Sequence, residues 1–471
     1  MNSSDTQEVG RTLKLNYKRT FIIGFAFFGI LLMWQVYDNY ASSFLSELFM
    51  ETFNKSNPED VQYLVGMMMA LDNLAALIMM PIFGSLSDKT ETKIGKRMPY
   101  ILVGTFVCAV VFPFMPVAFH YHNLAALIIL MAITVFFAMM YRNPAVALMP
   151  DLTPKPLRSK ANGIINIMGY IGGAVPTLLG MFLVLSKYLG EKDPGSWQDH
   201  NLWVIEIPFL LASVLMVASV LVLFFLIKEN KIKEEIKDDL LAGEKEAEIE
   251  DSVEDDAPMS KANKTMLILI LVAEFFWFMA DNGIGTFMTN YTRYHLLAST
   301  SSLSLNTIIS GLMSVVGFVF GGIIASKIGR KWTLTAGLLL TLAAYAIWLV
   351  LGLTIAPNSK FPFYIYAIFA VKGFGMSLVH VNSFPMVVEL CNAKKIGRFT
   401  GLYYASSMLA QTITPTLIGL LLLTEGFSFS LLPLYALACT AASAIIFFFV
   451  KSVKLNKTKI KVGLEALDQD D

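Results

Sequence analysis

Three cysteines in 471 residues, Cys108, Cys391 and Cys439, cannot staple a framework. Their spacing fits no zinc site either, so neither a disulfide nor a bound metal is expected. Histidine is scarce, with five in the chain, and no nucleophile-and-base arrangement or reactive thiol is visible, so the chain reads as no enzyme. No glycine-rich phosphate loop and no dinucleotide fingerprint appears, which excludes direct drive by ATP and leaves no cofactor to expect. Charge is the largest shortage: Asp, Glu, Lys and Arg make up 15% of the chain and sum to a net charge of +0. No basic excess is available for a nucleic acid.

What fills the chain is apolar. Hydrophobic residues are 55% of it and the mean hydropathy is +0.60, which suits a polytopic membrane protein and not a soluble domain. Twelve apolar runs are each as long as the roughly 20 residues a helix needs to cross a bilayer. Six lie near 20–49, 61–86, 98–119, 123–149, 161–186 and 203–227, and six near 264–292, 303–326, 332–353, 362–389, 398–423 and 429–451. Alternate loops differ in charge. One set carries Lys14, Lys18 and Arg19, then Lys89, Lys93, Lys96 and Arg97, then Lys155, Arg158 and Lys160, and continues with Lys327, Arg330, Lys331, Lys394, Lys395 and Arg398. The other set holds little beyond Lys55, Lys187, Lys192, Arg293 and Lys360. By the positive-inside rule both termini are cytoplasmic, as an even helix count also requires. The first run is too long for a cleavable signal and is expected to anchor the protein in the plasma or inner membrane.

The two halves are copies. Residues 34–44 read WQVYDNYASSF and residues 277–287 read WFMADNGIGTF, so Trp34, Asp38, Asn39 and Phe44 recur as Trp277, Asp281, Asn282 and Phe287. PTLLG at 176–180 recurs as PTLIG at 415–419, and Asp151 followed by Gly163 matches Glu389 followed by Gly401. The predicted organisation is a segment 1–19, a six-helix bundle over 20–227, a charged linker over 228–263 read as a solvated tether, a second bundle over 264–451 and a tail 452–471. Two such parallel repeats place a binding site near mid-membrane between halves that rock to expose it alternately. The fold class is therefore all-α, with twelve membrane helices in two pseudo-symmetric bundles.

The loop GSLSDKTETKIGKRMPY (84–100) resembles the signature between helices two and three of the major facilitator superfamily, and Asp151 with Arg158 resembles its second charge motif. Within it, LDNLAALIMMPIFGSLSDKTETKIGKRMPY and RNPAVALMPDLTPKPLRSKANG resemble the sucrose/maltose proton symporter group, akin to the glycoside–pentoside–hexuronide cation symporters. The resemblance implies alternating-access sugar uptake coupled to H+. The chain departs from that group at Val146, where plant sucrose symporters carry arginine, with Arg142 one turn earlier. It departs again at Ala76 and Met80 before Pro81, and at Ser326 in place of a second-half Asp88.

An ionised side chain at mid-membrane costs roughly 2.5–3.5 kcal/mol on insertion scales, so such residues usually face a cavity and a partner. Candidates for binding a hydroxyl-rich solute are Trp34, Asp38, Asn39, Asn73, Arg142, Asn143, Trp277, Asp281, Asn282, Lys372, Asn382 and Gln411. Carboxylates and amides bridge hydroxyls, and an indole packs on a C–H face. Asp38, Asp72, Glu274 and Asp281 are the carboxylates deep enough to carry a proton. Asp72 reads equally as a partner of Arg142, and Lys372 as a counter-ion; Glu274 has no twin, its counterpart being Leu31. Asp88, Arg97, Asp151, Arg158, Glu389 and Arg398 read as a cytoplasmic gate of ion pairs that latches the state open to the outside. The expected partners are a small neutral sugar and the lipid bilayer, with no nucleic acid and no obligatory protein. A facilitator or exporter of another polar solute is the alternative, and a non-transporting membrane sensor the alternative of another class. Asn54 and Asn290 head glycosylation sequons on the outer side.

Overall fold

The computed structural model describes residues 13–183, 201–252, 261–352, 362–390, 396–424 and 428–451. The first half contains α1 (Tyr17–Thr52), α2 (Gln62–Lys89), α3 (Met98–Val111) continued by α4 (Phe114–His120), α5 (Leu124–Asp151), α6 (Arg158–Leu179) and α7 (Trp203–Leu226). Two shorter helices follow, α8 (Glu229–Glu235) and α9 (Lys237–Ser252). The second half contains α10 (Lys261–Asn290), α11 (Thr300–Ile328), α12 (Arg330–Gly352), α13 (Phe363–Glu389), α14 (Ile396–Leu422) and α15 (Leu431–Phe448). Among the described residues, 11 spans are long and apolar enough to cross a membrane, α3 and α4 counting as one. The twelfth crossing is α6, 22 residues long; Lys160, Asn162, Asn166 and three glycines between Gly169 and Gly173 dilute its apolar content. The chain is a multi-pass membrane protein. With twelve crossings the start of α1 and the end of α15 fall on one face, the terminal face, opposite the far face.

These helices have no single apolar stripe because lipid and core both accept apolar groups. Small residues set the closest approaches. A Cβ on Gly172 of α6 would fall 2.2 Å from Phe28 O of α1, and one on Gly104 of α3 would fall 2.8 Å from Phe137 O of α5. Glycine is required at such crossings for backbones to touch. Each half builds its own cores: Phe44 stacks on Phe119 and Phe209 in the first, and Trp348 meets Tyr291 and Phe369 edge-on in the second.

The halves meet from mid-membrane to the far face. Asn73 Nδ2 donates to Gln411 O at 2.9 Å, and Gly66 of α2 and Gly419 of α14 lie where a Cβ would strike Pro415 O and Gln62 O. Toward the terminal face, Gly163, Gly322 and Gly401 of α6, α11 and α14 have open space where a Cβ would sit.

The linker is more than a solvated tether. Glu229 is 2% exposed: its carboxylate accepts from the backbone N–H groups of Lys96 and Arg97 at 3.0 Å each and caps the start of α3. Asn230 Nδ2 donates to Thr92 O at 2.9 Å, and α9 packs on the turn Lys155–Leu157. An acid at a helix N-terminus satisfies orphan N–H groups and complements the helix dipole. The segments 1–12, 253–260 and 452–471, with Cys391, Lys394 and Lys395, lie outside the described residues.

Candidate functional site

One cavity of ≈ 580 Å³ lies between the halves, lined by α1, α2 and α5 of the first and α10, α11, α13 and α14 of the second. Its first-half wall is charged. Asp38 comes from α1, Asp72 from α2 and Arg142 from α5. Asp38 and Arg142 lie within electrostatic range of each other. Asp72 does not pair with Arg142; it accepts a hydrogen bond from Tyr37. Gln35 Nε2 donates to Asn39 Oδ1 at 3.1 Å one turn along α1. On the second-half wall, Lys372 of α13 donates to Asp281 of α10 at 2.5 Å, so these two charges neutralise each other. The rest of that wall is uncharged: Asn282, Thr286 and Thr289 from α10, with Asn306, Ser310 and Ser314 from α11.

Three polar atoms around this cavity are buried without a hydrogen-bond partner among the described residues: Trp34 Nε1, Asn282 Oδ1 and Asn306 Oδ1. A buried amide oxygen without a partner costs about 1–3 kcal/mol. These atoms sit behind the cavity surface, so a bound solute reaches them only when their side chains turn toward it.

Of the expected binding residues, Trp34, Asp38, Asn39, Asn73, Arg142, Asp281, Asn282, Lys372 and Gln411 line the cavity, and so does Asp72. Trp277, Asn143 and Asn382 do not. Trp277 is fully buried against Leu334, Leu338, Met376 and Val379. Asn143 donates to Met80 O and ties α5 to α2. Asn382 Nδ2 bonds Leu378 O of its own helix at 2.9 Å. Glu274 is likewise outside the cavity wall, 0% exposed, with both oxygens unpartnered among the described residues. Tyr37, Asn306, Ser310 and Ser314 were not expected. The α11 set recurs every four residues on one face, a signal present in the sequence; Tyr37 carried none.

Among the described residues, the terminal-face charges pair within each half and not across them. Arg97 donates to Asp151 at 2.8 Å and to Ser87 at 2.5 Å, and contacts Asp88; Lys96 reaches Asp151 at 3.1 Å. Burial pulls the Arg97 guanidinium down, but its bonds to Asp151 and Asp88 outweigh that and hold it above its ordinary value. In the second half Arg330 donates to Glu389 at 2.7 Å. Arg158 does not bridge to an acid: it donates to the carbonyls of Pro150 and Thr153, closing the end of α5. The side chain of Arg398 lies outside the described residues. Of the two sequons, Asn54 is exposed while Asn290 is 0% exposed and hydrogen-bonded, so Asn290 is not presented for glycosylation in this state.

No curated protein matches this sequence. A family model for the Major Facilitator Superfamily matches residues 20–251 and 266–466, and one for the Organic Anion Transporter Polypeptide (OATP) family matches residues 146–363. Among solved structures, the chain is similar to the inward-open xylose transporter XylE from E. coli, at 17% identity over 92% of this chain and 97% of that one, with a TM-score of 0.63. It is similar to a bacterial homologue of the human lysosomal transporter Spinster in an inward-facing, occupied conformation, at 13% identity over 93% and 97%, with a TM-score of 0.64. The peptide transporter POT in complex with sulfate matches at 14% identity over 96% and 97%, with a TM-score of 0.61. At these identities the solved structures speak to the fold alone. With two bundles around one polar cavity and a family model spanning nearly all of both, the chain is a secondary transporter and belongs to the Major Facilitator Superfamily.

Proposed function

We propose that the protein is a proton-coupled importer of a neutral sugar, a di- or oligosaccharide or glycoside. The observation that carries this reading is the division of the cavity wall. One side presents Asp38 and Asp72, and the other presents amides and hydroxyls from α10 and α11, two of which, Asn282 and Asn306, have an amide oxygen unpartnered among the described residues. Hydroxyl-rich solutes satisfy such groups, and the Trp34 indole offers an apolar face for sugar C–H groups. Pockets of about 300–1,000 Å³ hold small organic ligands, and this cavity is within that range. Asp38 and Asp72 are the proton carriers in this reading, because Asp281 is already neutralised by Lys372. A carboxylate that takes a proton on one side and releases it on the other links solute movement to the gradient. The sequence motifs shared with sucrose/maltose symporters support the same substrate class.

The test is reconstitution of the purified protein in liposomes, with internal acidification recorded as sucrose, maltose or melibiose is added outside. Acidification with one sugar, lost in Asp38→Asn, is the expected outcome. Glu274→Gln, outside the cavity, separates a proton site on the cavity wall from one behind it. Sugar entry without proton movement would demote the acids to binding groups. A second reading, transport of an organic anion, is favoured by the OATP-family match over residues 146–363 and by Arg142 in the cavity. An anionic glycoside in the same assay decides between them: uptake of it and of none of the neutral sugars would replace the sugar reading.

A further inference from the structure

The far face is sealed by polar chemistry that the cavity does not use. Near the far end of α1, the Glu47 carboxylate accepts from Arg293 Nη1 at 2.6 Å and from Tyr294 Oη at 2.6 Å. Arg293 and Tyr294 belong to the single π-helical turn Tyr291–His295 that follows α10. The pair is almost dry, with side chains 9% and 1% exposed for Arg293 and Glu47. Beside it runs a second chain of bonds. Ser43 donates to Asn290 Oδ1 at 3.0 Å, Asn290 Nδ2 to Gln62 Oε1 at 3.0 Å, and Gln62 Nε2 to Ser46 at 2.8 Å. Both clusters cross between the halves.

Their register repeats the duplication. Glu47 lies nine residues after Asp38, and Asn290 nine residues after Asp281. Each twin reaches into the opposite half, Glu47 to Arg293 and Asn290 to Ser43. The two deep contacts are therefore made by equivalent positions of the repeated unit, one ionic and one amide.

We infer that Glu47, Arg293, Tyr294 and Asn290 form the far-face gate of the transport cycle, and that the buried ion pair sets how often this gate opens. Opening the cavity to the far face must part α1 from α10, which returns both charges to water and breaks the Ser43–Asn290–Gln62 chain. Removing one partner of a buried pair strands the other charge in the closed state, whereas an intact pair is neutral there. The closed far face then becomes the costly state, and the equilibrium moves toward opening. Among the described residues, polar contacts at the terminal face pair within each half in this state, so the bonds that cross between the halves lie at mid-cavity and at the far face. This inference rests on alternating access in the proposed function, but not on the identity of the solute.

The experiment uses the full-length protein with Cys108, Cys391 and Cys439 replaced by serine, in right-side-out vesicles. A single reporter thiol is placed by Thr289→Cys, next to Asn290 on the cavity wall, or by Leu31→Cys, on the terminal side of Trp34. Labelling with a charged, membrane-impermeant maleimide from the far face reads the gate; labelling from the terminal face in inverted vesicles reads the opposite end. In Glu47→Gln, Thr289→Cys labels at least about tenfold faster from the far face while Leu31→Cys labels more slowly from the terminal face. Tyr294→Phe removes one donor and leaves the charges, giving about a threefold change in the same direction; it keeps the test open if Glu47→Gln fails to accumulate. Exchanging the charges, Glu47→Arg with Arg293→Glu, brings far-face labelling back toward the parent. Unchanged labelling in Glu47→Gln and Tyr294→Phe, or faster labelling at both reporters, which marks loosening instead of switching, would overturn the inference. Because no solute is needed, failure of the sugar assay leaves this result standing.

Discussion

At the scale of single residues, the cavity is governed by which charges have partners. Lys372 and Asp281 hold each other at 2.5 Å, so Lys372→Ala is expected to strand Asp281 and lower stability by about 1–3 kcal/mol. The double variant Lys372→Ala with Asp281→Ala is expected to recover part of that loss, because two removed charges leave no orphan. Thermal unfolding in detergent checks the order: single variant lowest, double variant between it and the parent. A double variant below the single would remove the pair from the account. The acids of this site were legible in the sequence, because an ionisable group within an apolar run is costly and announces itself. The misplacement of Trp277 has a geometric cause. Residues four apart are rotated by about 400° along a helix, so Trp sits roughly 40° off the aspartate's direction. Around Trp34 that offset still faces the cavity, while around Trp277 the side chains of α12 and α13 close over the ring. Tyr37 was invisible for the opposite reason: a tyrosine in a membrane helix costs little, and its bond to Asp72 depends on a helix 35 residues away in sequence.

Among elements, glycines at helix crossings divide into two classes with different consequences. Gly172 packs α6 on α1 within one half, where an added Cβ would meet Phe28 O at 2.2 Å. Gly172→Ala is expected to cost about 1–3 kcal/mol of stability, as overpacking does. Gly66 packs α2 on α14 between the halves, with Pro415 O 2.1 Å from an added Cβ. Gly66→Ala is expected to spare folding, since the halves can part there, and to slow transport by hindering closure of the far face. Comparing thermal unfolding with initial uptake rate in the two variants separates these outcomes; equal losses of stability would contradict the division. Helix number and the two-bundle fold could be read from the apolar runs and the repeated motifs, because lipid imposes length and hydropathy on every crossing. Which helix meets which could not, because glycine is common in all of them.

For the whole molecule, the linker ties both terminal-face loops of the first half into one body. Glu229 caps α3 beside Arg97, Arg97 grips Asp88 and Asp151, and α9 lies on the turn between α5 and α6. Glu229→Ala is expected to leave the N–H groups of Lys96 and Arg97 unpaired and to cost about 1–3 kcal/mol. It should read out as a lower unfolding temperature together with faster proteolysis of the 84–100 loop. A variant as stable and as resistant as the parent would return the linker to the status of a solvated tether. Composition pointed that way because a mixed-charge segment usually is solvated; one buried carboxylate among many exposed ones leaves no mark on it.

The cavity itself has a further consequence. At about 30 Å³ per molecule, a volume of ≈ 580 Å³ holds roughly 19 waters. A solute of sugar size displaces many of them when the halves close around it, and the remainder must leave or be trapped. Each turnover is therefore also a dehydration and rehydration step, and the activity of water enters the conformational equilibrium as a reactant alongside the solute.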